Sequence, residues 1–330
     1  MDLTTTYAGL KLKNPLMPGA SPLVDNTDAA RRIEDAGAAA VVMHSLFAEQ
    51  IEGNEIAFAR HVERWQDNFA EATSFFPAQD DYSLPPNEYV ECIGKLKAAL
   101  HIPVIASLNG TQLGSWHTFA QQIEQAGADA LELNTYFLAT RREVTGTEIE
   151  QRIVEITRAV RSSVKIPVLV KLSPYYSALP NLAGALEQER ADGIVLFNRF
   201  FQPEIDVDTL DVTPRLDLST HEDLRLRLRA LAVLRDQVKF SLACSGGVHT
   251  WADVVKAILA GADAVQVVAT LLSRGPERIG DLLTGLRDWM EEHEYTSIAE
   301  MRGSLSQLKC PDPEAYERGN YLRTLQLWKE

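Results

Sequence analysis

The sequence predicts an α/β fold, a single (β/α)8 TIM barrel with insertions over the carboxyl-terminal face of its strands. Three observations predict it. A helix-to-strand corner recurs along the chain: Ile33-Glu-Asp-Ala-Gly-Ala-Ala-Ala-Val-Val42, Ile123-Glu-Gln-Ala-Gly-Ala-Asp-Ala-Leu-Glu-Leu133, Ile258-Leu-Ala-Gly-Ala-Asp-Ala-Val-Gln-Val267, and more loosely Arg190-Ala-Asp-Gly-Ile-Val-Leu196. The glycine permits a left-handed helix stop, and recurrent corners of this kind imply a parallel sheet. Eight short apolar runs alternate with amphipathic helical segments, which is the count a closed barrel needs. No G-x-G-x-x-G follows a strand, so the doubly wound alternative lacks its usual mark.

In chain order the strands are expected near Pro15–Ala20, Ala39–His44, Pro103–Asn109, Ala130–Thr135, Pro167–Leu172, Gly193–Asn198, Phe240–Ser245 and Ala264–Val268. The fifth, inside Ile166-Pro-Val-Leu-Val-Lys-Leu-Ser-Pro-Tyr175, shows the pattern best. Its continuous aliphatic run suits a strand covered on both faces, and Ser173-Pro174 stops it. Two long gaps follow strand ends, 46–100 and 199–223, and both are read as insertions over the barrel mouth. The first carries charged helical stretches over Glu49–Ala72 and a turn-rich piece, Phe76–Asn87. Helix Leu224–Val233 alternates arginine with leucine and reads as a solvated face. Residues 294–330 form a C-terminal extension with aromatic residues at Tyr316, Tyr321 and Trp328, and the whole of 1–330 reads as one domain.

Composition narrows the partners. With a formal charge of −14, a nucleic acid or an anionic membrane is a poor match for the surface. Cys92, Cys244 and Cys310 are scattered, form no C-x-x-C, and suit a reducing compartment. The first residues show no basic and then apolar leader, and no run is long enough to span a bilayer, so a cytoplasmic protein is expected.

The chemistry is expected at the strand ends. Lys171 interrupts an apolar strand, where an ammonium is costly unless something anionic or electron-rich meets it; the ordinary alternative is a lysine snorkelling to the surface. Cys244-Ser-Gly-Gly-Val-His249 places a glycine pair between strand and helix. Uncovered N–H groups at that helix start would suit a phosphate, with Val268–Gly275 as the facing loop; a tight turn without ligand is the alternative. Ser107, Asn109, Asn134 and Asn198 end three further strands. Amides donate and accept, so a ring of them suits a planar heterocycle, although each alone is more often a turn former. His44 ends the second strand and could face the mouth. Cys244 reads as a buried small hydrophobe. The seven histidines show no metal-ligand spacing, so no metal is expected, and no nucleophilic triad pattern is present.

Taken together, these residues resemble the dihydroorotate dehydrogenase family of FMN-dependent barrels, most closely its cytosolic branch and a divergent dihydroorotate dehydrogenase-like group. The resemblance rests on Asn14-Pro-Leu-Met-Pro-Gly-Ala-Ser21, Val170-Lys-Leu-Ser-Pro-Tyr175, Ser245-Gly-Gly-Val248, Gly275-Pro276 with Tyr295–Gly303, and Ser45-Leu-Phe-Ala-Glu-Gln-Ile51. It implies that FMN is bound by Ala20, Ser107, Asn109, Asn134, Lys171, Asn198, Ser245, Gly246, Gly247, Ala269 and Thr270. Lys171 would stabilise negative charge on the reduced flavin ring. Asn134, Asn198 and Asn87 would hold a pyrimidine-like substrate, and a homodimer is implied. Three positions depart from the family pattern. The catalytic base, a cysteine or serine in the family, falls at Phe137 within Asn134-Thr-Tyr-Phe-Leu-Ala-Thr140. The second-strand lysine falls near Met43 or His44, and Asp81–Asn87 matches the substrate-loop motif faintly. Thr135, Tyr136 and Thr140 are the hydroxyls left near the missing base. The expected function is therefore an FMN-dependent oxidation or reduction of a CH–CH bond, with dihydroorotate to orotate in pyrimidine biosynthesis as the family reaction. The competing readings are a flavin-free, phosphate-binding barrel lyase or epimerase, and a catalytically weakened flavin-binding protein. The electron acceptor, fumarate, NAD or another, is left open.

Overall fold

In the computed structural model, residues 1–47, 86–109, 116–135, 137–199, 202–215, 217–318 and 320–327 are described. The eight apolar runs become eight parallel strands. They are β3 (Leu16–Pro18), β4 (Val41–Phe47), β5 (Val104–Asn109), β6 (Ala130–Asn134), β7 (Val168–Leu172), β8 (Gly193–Leu196), β11 (Ser241–Ser245) and β12 (Ala264–Val267). Their order around the sheet is β3-β12-β11-β8-β7-β6-β5-β4. The Ala39 N–H donates to the Leu16 carbonyl at 2.9 Å, drawing the two edges together. The fold is thus the expected (β/α)8 barrel.

Two further hairpins were not foreseen. The first, β1 (Thr5–Tyr7) with β2 (Leu10–Leu12), lies under the amino-terminal ends of the strands. The Ala8 N–H donates to Ser241 Oγ, and Thr5 Oγ1 donates to the Asp263 carbonyl. Tyr7 and Leu12 of this hairpin pack with Met17, Val42, Ile105, Leu169, Val195 and the alanines 130, 243 and 264. These residues fill the lower barrel interior. The second hairpin, β9 (Pro203–Asp206) with β10 (Asp211–Pro214), stands in the 199–223 insertion and is largely exposed. Of the 46–100 insertion, residues 48–85 lie outside the described residues, and with them Glu49–Ala72 and most of Phe76–Asn87.

The helices cover the outer face: α1 (Thr27–Asp35), α2 (Pro86–Ala99), α3 (Trp116–Gln125), α4 (Gly146–Ser163), α5 (Leu179–Gln188), α6 (Leu224–Leu234), α7 (Trp251–Ala260) and α9 (Arg278–Glu292). Each strand residue that alternates away from the lumen packs under them, as Val168, Val170 and Leu172 do in β7. The Val268–Gly275 segment, expected as a loop, is mostly a short helix, α8 (Ala269–Arg274). The C-terminal extension is partly integral. Ile298 and Met301 of α10 (Ile298–Met301) are fully buried, and Arg302 reaches Asp263 beneath the barrel at 2.6 Å. The last helix, α11 (Asn320–Gln326), is more loosely seated, with Tyr321, Leu322 and Leu325 exposed; Trp328 lies outside the described residues. Among the described residues, no helix is long and apolar enough to cross a membrane.

Candidate functional site

The period of two along each strand sorts the lumen into layers. Ala130, Leu169 and Ala264 sit in the lower apolar layer. Two residues further on, the same faces of β6, β7 and β12 carry Glu132, Lys171 and Gln266. The barrel therefore changes from apolar to polar in one step towards its carboxyl-terminal mouth.

Lys171 lies inside β7 rather than at its end, and it is 5% exposed. The anion that its burial demands is Glu132, which is fully buried. Lys171 Nζ donates to Glu132 Oε1 at 3.2 Å, and Gln266 Nε2 donates to Glu132 Oε2 at 2.6 Å. A buried carboxylate is tolerable only when both oxygens are met in this way. Neither Glu132 nor Gln266 was singled out from the sequence. The available signal was a charged and an amide side chain inside otherwise apolar strands, at positions two beyond an inward alanine.

Above this pair the asparagines converge. Asn109, Asn134 and Lys171 stand side by side in the register of β5, β6 and β7. Asn134 Nδ2 donates to Ser45 Oγ at 3.2 Å, and Ser45 Oγ shares a hydrogen bond with Ser107 Oγ at 2.8 Å. Ser107 is further tied through its backbone to the Tyr89 hydroxyl. Its role in the structure is thus to brace β4 against β5. His44 pairs with Asp25 at 2.6 Å and meets Tyr89 edge-on. Asn198 follows β8, partly buried, its N–H donating to the Leu172 carbonyl. Ala20 packs on the inner cluster. Asn87 is exposed in the first turn of α2.

Asn134 Oδ1 of β6, Gln266 Oε1 of β12 and Thr270 Oγ1 of α8 are buried and have no hydrogen-bond partner among the described residues. An orphaned buried acceptor costs about 1–3 kcal/mol. Such a set is what a ligand with N–H and carbonyl groups would complete.

The glycine pair departs from expectation. Gly246 and Gly247 have positive φ, 93° and 81°, but the helix start behind them is already occupied. Thr250 and Asp253 form a capping box, and Asp253 Oδ2 accepts from the N–H groups of His249 and Thr250 at 3.1 and 2.9 Å. The Gly247 N–H donates to Ser219 Oγ at 3.3 Å. A Cβ on Gly247 would lie 2.4 Å from Leu224 N, so close packing on α6 also demands glycine there. The α6 face is not simply solvated: Arg227 is buried and donates to the Ser245 carbonyl at 3.0 Å. Ala269 and Thr270 are buried at the start of α8, which follows β12, the strand paired with β11. Cys244 is buried as expected, and burial pushes its thiol up to about 12.

The hydroxyls near Phe137 are poorly placed for proton abstraction. Thr135 Oγ1 donates to the Lys171 carbonyl at 3.2 Å. Thr140 is exposed, and Tyr136 lies outside the described residues. Phe137 stacks beneath the Arg152 guanidinium, 4.6 Å from its ring centre. Tyr176, absent from the sequence reading, hydrogen-bonds Thr135, and burial pushes its hydroxyl up to about 12.

Residues 2–290 match the family model described as "Dihydroorotate dehydrogenase". The chain is 26% identical over 315 residues to the "Dihydroorotate dehydrogenase B (NAD(+)), catalytic subunit" of Thermoplasma acidophilum, covering 92% of this chain and 98% of that protein. It is 29% identical over 313 residues to the protein of the same name from Pyrococcus abyssi, covering 91% and 98%. It is 24% identical over 327 residues to the "NAD-dependent dihydropyrimidine dehydrogenase subunit PreA" of Escherichia coli K12, covering 92% and 76%. A family match across nearly the whole barrel, on a lumen whose polar layer centres on Lys171, shows that the chain belongs to the dihydroorotate dehydrogenase family.

Proposed function

We propose that this protein is an FMN-dependent oxidoreductase acting on a CH–CH bond of a pyrimidine-like substrate, with dihydroorotate to orotate as the reference reaction. One observation carries it: Lys171 is held by a buried carboxylate in the polar layer of the lumen, and Asn134 Oδ1, Gln266 Oε1 and Thr270 Oγ1 are buried without hydrogen-bond partners among the described residues. A flavin's amide-like edge is the complement such atoms need. FMN, when bound, supplies the hydride acceptor at N5. Lys171 would then donate a hydrogen bond to the N1 and C2-oxygen edge and favour negative charge there. Glu132 keeps the ammonium aimed, and Gln266 keeps Glu132 aimed. Asn134 and Asn198 would orient the substrate ring, and the backbone of Ser245, Gly246 and Gly247 would take the phosphate with that of Ala269 and Thr270.

The base is the open part of the reaction. Phe137 holds no proton, Thr135 is already donating, and a Tyr176 hydroxyl near 12 takes none at neutral pH. The chemistry supports reduction of a double bond as well as oxidation of a saturated one, and relatives named for dihydroorotate and for dihydropyrimidine fit one pyrimidine-like substrate class. The second reading, a flavin protein of weakened activity, is favoured by the Phe137–Arg152 stack. We read 1–330 as one unit working in the cytoplasm, as a homodimer or with a second subunit, since its relatives are named as subunits.

An anaerobic titration of the purified protein with dihydroorotate, following flavin absorbance, tests the reading. Bleaching of a yellow protein supports cofactor and substrate together. A yellow protein that stays yellow removes dihydroorotate, and a protein that never takes up flavin removes the proposal.

A further inference from the structure

A phosphate at the glycine pair needs positive charge, and the α7 amino terminus does not offer it. Asp253 is 1% exposed, and its carboxylate accepts from His249 and Thr250 within that first turn. That carboxylate, also met by Lys256 and His221 at 3.7 Å each, thus occupies the place where the helix field would otherwise favour an anion. The chain as a whole is also strongly acidic.

The cation lies on the other side of the loop. Arg227 of α6 is 7% exposed. Its Nε donates to the Ser245 carbonyl at 3.0 Å and its Nη1 to the Asp223 carbonyl at 2.8 Å. A Cβ on Gly246 would lie 3.1 Å from Nη2, so the guanidinium is pressed against the glycine whose backbone would meet the ligand. Among the described residues Arg227 meets only carbonyls and the ring of Phe197, its centre 5.9 Å away, and forms no ion pair. The carboxylate of Asp223, its nearest acidic neighbour in sequence, accepts from Thr220 N–H instead. Burial, the leading influence, lowers the Arg227 pKa; Cys244, Asp223 and Tyr175 act against it, and the Arg199 charge acts with it. A buried guanidinium without a carboxylate is costly unless an anion arrives to compensate it.

We propose that Arg227 is the buried counter-charge of the cofactor's phosphate, a positioning residue that acts through the Ser245–Gly247 backbone and makes the site select phosphorylated over unphosphorylated flavin. The inference rests on the flavin reading above and adds the origin of its phosphate selectivity.

The test is a fluorescence titration of flavin-stripped protein with FMN and with riboflavin, for the natural chain, Arg227→Met and Arg227→Lys. The natural chain should prefer FMN. Arg227→Met should weaken FMN by about 10- to 100-fold, the scale of one partly desolvated charge facing a dianion, and change riboflavin by less than about threefold. Arg227→Lys, which keeps the charge but loses the planar fork, should retain most of the preference. A merely structural role would weaken both flavins alike in either variant, and that result overturns the inference, as does unchanged FMN affinity in Arg227→Met. If Arg227→Met fails to fold, Arg227→Gln, which removes the charge but keeps a polar side chain at the Ser245 carbonyl, decides between the same outcomes. A natural chain that binds both flavins equally overturns only this inference; one that binds neither overturns the flavin reading as well.

Discussion

Lys171 and Glu132 each make the other tolerable. Both are buried, and removing one partner leaves an uncompensated charge. Lys171→Met should therefore cost about 3–5 kcal/mol of stability in addition to silencing flavin reduction. Adding Glu132→Gln to it should restore part of that stability without restoring reduction, which a urea-denaturation double-mutant cycle would show. Additive losses would mean that the pair is not coupled. At the same scale, Cys244 should resist alkylation in the folded protein near pH 8, since its thiol is buried and pushed up to about 12. Iodoacetamide followed by peptide mapping should label the partly exposed Cys310 first.

At the scale of elements, the turn between β11 and α7 concentrates the local constraints. Asp253 caps α7 and fixes the His249–Thr250 backbone, so Asp253→Ala should lower stability by about 1–3 kcal/mol. Gly247→Ala meets both a positive φ and the backbone of Leu224 at 2.4 Å, and it should destabilise the turn and weaken FMN binding together. Thermal melts and flavin titration of the two variants check this; a Gly247→Ala protein that melts and binds as the natural chain does would show that α6 yields at that contact. The strands and αβ corners were legible because they depend on local periodicity and on small residues beside a glycine. The β1–β2 hairpin was not, because its strands have only three residues each and gain their stability from plugging the barrel.

At the scale of the whole molecule, the titrating groups point to acid sensitivity. Burial, the leading cause, lowers the His249 pKa, so the unfolded chain binds that proton more readily and stability falls as pH drops through about 6.5. Glu148, Glu189, Glu277 and Glu300 are held below the usual carboxylate range, led respectively by the Thr145 backbone, Arg158, Arg32 and the Thr296 backbone. Their stabilisation is complete above about pH 4.5 and is lost as pH falls through their folded-state values. Both sets act in the same direction. Urea midpoints should decline from about pH 7.5 to about 3.5, and His249→Asn should flatten the upper part of that decline. A midpoint that rises on acidification from about 7 to about 6 would contradict the His249 assignment.

The barrel and the placing of Lys171 and the asparagines towards the mouth follow from short-range patterns in the chain: alternation, glycine corners and a charge inside an apolar run. The family was legible through the resemblance of its motifs. What those residues meet became visible only in the closed barrel. Glu132 lies 39 positions from Lys171 and 134 from Gln266 in the chain, yet a shared inward face brings the three into one hydrogen-bonded set. Arg227, in a helix that alternates like a solvated face, is buried because α6 packs its first turns on the glycine pair. The α7 amino terminus, open in the linear pattern, is closed by its own Asp253. Pairings of this kind depend on which faces the closed sheet turns together, and no local pattern encodes that distance.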